Sequence, residues 1–204
     1  MFQYSFSRDF KYAHEDIWPE YFKIAGVNPK DSLQILEVGT YEGNTATWFS
    51  DHMLDHSDSI LTCIDNFSAE FVALEDNFIS MKDRFLHNIS VSKNAGKIHL
   101  IEGDSKLVLK ELVDSGKQYD LIYVDGSHHA LDVISDGLFC FQLLKPNGLL
   151  MFDDDLFIDK DGNQPVRYAL TQLKMLLPSM EPIIPEWAGQ LPLGDTWEKL
   201  FTKR

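Results

Sequence analysis

The chain has 204 residues, 44% of them hydrophobic, 12% aromatic and 25% charged, the composition of one ordinary globular domain rather than of a disordered, collagen-like or membrane-spanning chain. Acidic residues number 32 against 18 Lys and Arg, a formal net charge of −14, and so negative a surface repels phosphate backbones and anionic headgroups, which argues against nucleic acid or membrane as partner. No apolar run approaches the roughly 18 residues of a membrane helix, and the N-terminal residues lack a signal-peptide pattern; the two cysteines, Cys63 and Cys140, lie in apolar runs, so reduced core thiols and a cytoplasmic setting are expected.

Residues 1–30 are crowded with aromatics, among them Phe2, Tyr4, Phe6, Phe10, Tyr12, Trp18, Tyr21 and Phe22. A helical cap that packs these rings on the main domain is expected, or a lid over a ligand. Residues 31–204 then form the main domain. Short β-type runs at 33–38, 60–64, 97–101, 119–124 and 149–152 alternate with stretches of helical spacing at 45–54, 74–91, 105–113 and 130–144. That alternation predicts an α/β fold, a Rossmann-like doubly wound, mostly parallel sheet with helices on both faces. Lys145-Pro146-Asn147-Gly148 ends the fourth helix, because proline cannot continue it and glycine permits the turn. A polar loop at 153–164 leads to a helix over 165–177, stopped by Pro178. The runs 182–184 and 196–202 read as two short final strands.

Chemistry-bearing residues fall at the predicted strand ends. Glu37-Val38-Gly39-Thr40-Tyr41-Glu42-Gly43 stands where the first strand hands over to the first helix, the place where open parallel sheets bind ligands. Gly39 allows a tight turn and close approach of a ligand to the main chain, and Gly43 a close start to the helix. The spacing is not G-x-G-x-x-G, since Tyr41 and Glu42 interrupt it. Glu37 would attract a cationic amino group and crowd a pyrophosphate, which suggests a zwitterionic ligand. Asp65 ends the second strand, 26 residues after Gly39, placed to accept hydrogen bonds from ribose hydroxyls. Asp104 and Ser105 follow the third strand, as partners of an adenine or as N-caps of the next helix.

Asp125 ends the fourth strand and Asp153-Asp154-Asp155 the fifth. Adjacent strands would bring these carboxylates together, and such crowding calls for protonation or a divalent cation such as Mg²⁺. His128, Asp132 and Asp136 are four apart on one face of a predicted helix, and His128 is a candidate general base or cofactor contact. Gly126-Ser127 is not a nucleophile elbow, because Asp125 and His129 occupy the positions that need glycine. Asp159-Lys160-Asp161-Gly162 departs from the calcium-loop pattern at Phe157 and lacks its closing glutamate, so it reads as a turn.

On these residues the chain resembles the class I S-adenosylmethionine-dependent methyltransferases, in particular the small metal-assisted O-methyltransferase branch with catechol-type and macrolide-sugar enzymes. ILEVGTYEGNTATWF, LTCIDNF, IEGDS, YDLIYVDGSHH, LLKPNGLLMFDDD and the terminal TWEKLFTK carry the likeness. The resemblance implies that Glu37, Gly39, Thr40 and Gly43 receive the methionine part of the cofactor. Asp65, with Asn66 beside it, would hold the ribose, and Asp104 and Ser105 the adenine, with Asp125 also near the cofactor. Asp125, Asp153 and Asp154 would bind Mg²⁺, although Asp155 leaves the register of the pair open. The family also implies an antiparallel C-terminal hairpin. The function expected is methyl transfer to a hydroxyl of a small-molecule acceptor such as a sugar or phenol, with Asp125 and His128 at the reacting centre. A cofactor-binding module without activity and a nicotinamide-dependent oxidoreductase are the competing readings. A homo-oligomer is left open.

Overall fold

Strands form where large apolar and β-branched residues occur in short runs, and their alternation sends successive side chains to opposite faces. A computed structural model gives the structure and describes residues 3–7, 17–68, 80–183 and 198–203. Seven strands make one sheet in the order β3-β2-β1-β4-β5-β7-β6. They are β1 (Gln34–Val38), β2 (Ile60–Asp65), β3 (Ile98–Glu102), β4 (Tyr119–Val124), β5 (Leu144–Phe152), β6 (Met180–Ile183) and β7 (Lys199–Lys203). The first five run parallel to one another, whereas β7 runs antiparallel to β5 and β6. The order reverses between β1 and β4, so a crevice opens beyond their carboxyl ends.

The helices are α1 (Trp18–Ala25), α2 (Asn44–His52), α3 (Met81–Ser90), α4 (Ser105–Asp114), α5 (Ala130–Leu143) and α6 (Pro165–Leu176). Local chemistry marks their ends. Ser80 caps α3 by accepting the Asp83 amide, and Asp104 caps α4 by accepting that of Lys106. Pro165 opens α6, where its missing N–H is not needed.

Two cores result, one on each face. Leu36, Val38, Ile122 and Val124 pack with Val133, Cys140, Phe141 and Leu173 of α5 and α6. Ile35, Leu61, Cys63 and Tyr123 pack instead with Trp18 and Phe22 of α1, Phe49 of α2 and Phe85 of α3. Trp18 is the hub of the second core, its ring centroid 4.9 Å from Trp48, 5.4 Å from Phe49 and 5.2 Å from Tyr123. Its indole Nε1 donates to the buried Glu198 at 3.1 Å, so α1 is tied to the start of β7. Both cysteines are buried and free.

The alternation of elements matches the sequence expectation, with differences at the edges. Strand β5 begins at Leu144 rather than 149: Tyr119 pairs with Leu144 and Leu121 with Leu149, so Lys145–Gly148 bulge out of the ladder instead of forming a separate turn. Asn147 takes a left-handed φ of 61° there, which asparagine tolerates. The helical stretch expected over 74–91 is observed as α3, and residues 69–79 lie outside the described residues. Strand β6 begins two residues ahead of the expected 182, and 184–197 also lie outside the described residues. Among the described residues no helix is long and apolar enough to cross a membrane.

Replacing Trp18 removes the centre of an aromatic cluster and leaves Glu198 without its indole donor. Trp18→Ala is expected to lower unfolding free energy by about 3–5 kcal/mol, measured by urea denaturation.

Candidate active site

The tips of β1, β2 and β4 are held together by a backbone too close for side chains. Gly39 has φ 84°, and a Cβ on it would lie 2.2 Å from the carbonyl oxygen of Asp125 and 2.5 Å from the Cα of Gly126. The glycine is therefore needed by contact between strand tips, before any ligand is considered. Gly43, also at φ 84°, brings the start of α2 against the ring of Phe85, 3.0 Å from where its Cβ would stand.

Asp65 sits at the tip of β2 and reaches across to this turn. Its Oδ2 accepts the amides of Thr40 and Tyr41, each at 2.8 Å, and its Oδ1 accepts the amide of Phe67 at 2.7 Å. Three of about four lone-pair sites on the carboxylate are used in this way, which leaves one on Oδ1 for a ligand hydroxyl. Asn66, next in the chain, is exposed and accepts the Ser68 amide.

Glu37 lies beneath the turn, 1% exposed. Its Oε2 accepts the Thr40 hydroxyl at 2.8 Å and the Cys63 thiol at 3.2 Å. Burial pushes its carboxyl up from an ordinary 4.5 to about 8, against the lowering effect of those two donors. Glu37 is thus a buried acid that supports Thr40 from below, under the turn whose ligand the sequence expects it to meet. Burial likewise pushes the Cys63 thiol well up, with Glu37 adding to the shift.

On the other side of β1 the acids gather. Asp125, His128 and Asp154 each offer one ligand atom, all within 4.8 Å of one another, and His128 Nε2 lies 2.5 Å from Asp154 Oδ2. Asp154 reaches this position with a left-handed φ of 59°. Burial, then the charges of Asp153 and Asp154, push the Asp125 carboxyl well above its usual range. Hard oxygen donors with one imidazole, half-buried and close together, fit a divalent cation. Asp153, expected from sequence among the ligands, is not in that group: its Oδ2 accepts the Tyr123 hydroxyl at 2.5 Å and its Oδ1 the Asp154 amide at 2.7 Å. Asp155, the third of the consecutive acids, turns inward to an ion pair with Arg167 at 2.6 Å and Lys199 at 3.3 Å.

Asp104 caps α4, and the Ser105 hydroxyl donates to Asp136 at 2.9 Å. Sequence reasoning did not foresee the brace formed by residues 3–7. Tyr4 donates to Asp51, Ser5 exchanges hydrogen bonds with the Asn88 side chain, and the Ser7 amide donates to Glu42 Oε2 at 2.6 Å. Glu42 is itself buried and paired with Arg84 at 3.2 Å. A polar contact between residues so far apart leaves no local pattern.

A glycine turn joining β1 to α2, acids at successive strand tips and an antiparallel final hairpin define a methyltransferase-type doubly wound fold. The comparisons agree: residues 36–154, more than half of the chain, match a family described as a methyltransferase domain, and the chain belongs to that family. A comparison with curated proteins returned no match. Among solved structures, the O-methyltransferase TomG of Streptomyces achromogenes, in complex with S-adenosylmethionine, is 15% identical and aligns over 91% of this chain and 79% of its own, with a TM-score of 0.61. An O-methyltransferase from Bacillus cereus in complex with S-adenosylhomocysteine is also 15% identical, over 94% of this chain and 84% of its own, TM-score 0.61. A TDP-rhamnose 3′-O-methyltransferase of calicheamicin biosynthesis is 13% identical, over 94% and 82%, TM-score 0.57. At such identities the likeness speaks for the fold.

The buried Glu37 makes a stability prediction. A carboxyl whose folded pKa is raised costs nothing below its unfolded pKa, and the cost grows as pH rises from about 4.5 to about 8. Glu37→Gln keeps the shape without the charge, so thermal unfolding of the variant is expected to depend less on pH across that window. Its relative gain at pH 8 is expected to be a few kcal/mol, since a tenfold change in proton affinity is worth about 1.4 kcal/mol.

Proposed function

We propose that the protein transfers the methyl group of S-adenosylmethionine to a hydroxyl oxygen of a small-molecule acceptor, with a divalent cation, Mg²⁺ in the first instance, held by Asp125 and Asp154. The observation that carries the cofactor reading is the use of the glycine turn's backbone donors. The amide of Gly39 goes to Ile64, those of Thr40 and Tyr41 to Asp65, and that of Gly43 to Thr40. Phosphate-binding turns present such amides to the ligand. Here these four are consumed, and the neighbouring side chains are acids. A cofactor that is cationic at sulfur and amine and carries no phosphate suits this surface, and a nicotinamide dinucleotide does not.

In this reading the cofactor runs along the strand tips. Its methionine part and sulfonium lie over the turn after β1, its ribose by the remaining lone pair of Asp65, and its base toward Asp104 and Ser105 after β3. The acceptor then approaches from the β4 and β5 side, where Asp125, His128 and Asp154 stand. When bound, the sulfonium supplies an activated methyl group and the cation a Lewis acid that lowers the pKa of a coordinated hydroxyl. His128, held at Nε2 by Asp154, would take the hydroxyl proton on its other ring nitrogen as the oxygen–methyl bond forms and the methyl–sulfur bond breaks, with S-adenosylhomocysteine as the leaving group. Asp153, fixed by Tyr123, holds the Asp154 amide and with it the turn that presents Asp154. Orientation of oxygen, methyl carbon and sulfur in line is the larger contribution, worth up to about 7–11 kcal/mol in model reactions, against about 10²- to 10⁴-fold for proton transfer.

The test begins with calorimetric titration of S-adenosylmethionine and a mass-spectrometric screen for acceptors that gain one methyl group. With an acceptor in hand, Asp154→Asn is expected to leave cofactor affinity within a few-fold and to cut Mg²⁺-supported turnover at least about a hundredfold. Full turnover of that variant in the presence of a chelator would remove the cation from the reading; absence of cofactor binding by the wild type would remove the reading itself.

A further inference from the structure

The brace of residues 3–7 lies against α2 and α3 and reaches the glycine turn, and the proposed transfer gives it no part. Its main chain is held at alternate residues. The Gln3 carbonyl meets His87 Nε2 at 3.2 Å, the Ser5 amide and carbonyl meet the Asn88 side chain at 2.7 and 3.1 Å, and the Ser7 amide donates to Glu42 Oε2 at 2.6 Å. Tyr4, between the first two, sends its hydroxyl to Asp51 of α2 at 2.8 Å. A two-residue alternation is how an extended segment is gripped along one edge. Here fixed side chains stand in for a neighbouring strand. Ser5 is exposed, so the grip is on its main chain.

The groups that grip the brace also hold the turn. Asn88 is fully buried, and its Nδ2 donates to the Glu42 carbonyl at 2.8 Å as well as to that of Ser5. The Glu42 carboxylate, 1% exposed, is shared between Arg84 of α3 and the Ser7 amide. Directly before it, Tyr41 has a φ of 49°, a left-handed conformation that is costly for a bulky residue and persists only where its surroundings hold it. Asp65 holds Tyr41 by its amide. The brace holds it from the other side, through Glu42 and through the Ser7 hydroxyl, 3.3 Å from the Tyr41 phenol oxygen.

We propose that residues 3–7, acting through Asn88 and Glu42, are a positioning segment that keeps Tyr41 in its left-handed conformation, so that docking of the brace and binding of a ligand over this turn favour one another. The second half of the inference rests on the S-adenosylmethionine reading, in which the turn after β1 receives the cofactor. The brace acts on the turn and not on the ligand. A ligand that needs the turn in this path binds the fraction of molecules in which the brace is docked. By linkage, the bound ligand must hold the brace down by the same factor.

The experiment uses the full chain and two readouts. Ser5→Pro and Ser7→Pro each delete one main-chain donor of the brace, whereas Ser5→Ala keeps it. Calorimetric affinity for S-adenosylhomocysteine is expected to fall at least about fivefold in either proline variant and to stay within about twofold in Ser5→Ala. Amide hydrogen exchange, followed by NMR, reads the brace and the turn separately. Without ligand, the Thr40 and Tyr41 amides should exchange several-fold faster in Ser7→Pro than in the wild type. In the wild type, saturating S-adenosylhomocysteine should slow exchange of the Ser5 and Ser7 amides several-fold, a reciprocity that a merely structural brace would not show. Unchanged affinity in folded proline variants, or exchange at Ser5 and Ser7 indifferent to ligand, would overturn the coupling and leave the cofactor reading intact. Should the proline variants not fold, the wild-type exchange alone decides. Failure of the wild type to bind S-adenosylhomocysteine would instead strike the cofactor reading, and exchange at Thr40 and Tyr41 would still decide whether the brace holds the turn.

Discussion

The carboxylate of Asp65 lies between two strand tips and accepts amides from both, Thr40 and Tyr41 from one side and Phe67 from the other. Charge-assisted hydrogen bonds of this kind are about twice as strong as neutral ones, and here they fix the path of the glycine turn relative to β2. Much of the site depends on that path. Gly39 can lie against the Asp125 carbonyl only if the turn is so placed, and the Asp125 amide in turn bonds back to Val38. The turn that sequence reading treats as a receptor for ligand is thus first a clasp between β1, β2 and β4.

The clasp also explains the distribution of charge. Acids are tolerated near one another where each has a separate compensation. Asp155 has Arg167 and Lys199, Glu42 has Arg84, and Glu37 holds a proton to higher pH through burial. Among the described residues, Asp125 and Asp154 stand together with His128. That excess of negative charge, confined to one corner of the crevice, is the feature on which the proposed cation site rests.

The alternation of apolar runs made the parallel sheet legible, because both faces are covered and five strands read as continuous hydrophobic segments. The antiparallel hairpin followed only by resemblance, since β6 and β7 are short and carry Pro182 and two lysines. Within the site, the positions Gly39, Asp65, Asp125 and Asp154 were legible because strand ends mark them. Their partners were not. That Asp153 faces Tyr123 while Asp155 turns to Arg167 depends on the left-handed backbone at Asp154, and nothing in a run of three identical residues announces which one reverses direction. Asp136 did leave a trace, an acid on the inward side of an apolar helix, but its use depends on Ser105, 31 residues away.

The bond from the Trp18 indole to Glu198 spans 180 residues of chain. Contacts of such separation come at a high loop-closure cost and form once the intervening sheet is in place. The indole of Trp18 therefore sits where the first and last parts of the described chain meet, and quenching or spectral shift of its emission would mark the closing of the fold rather than its beginning.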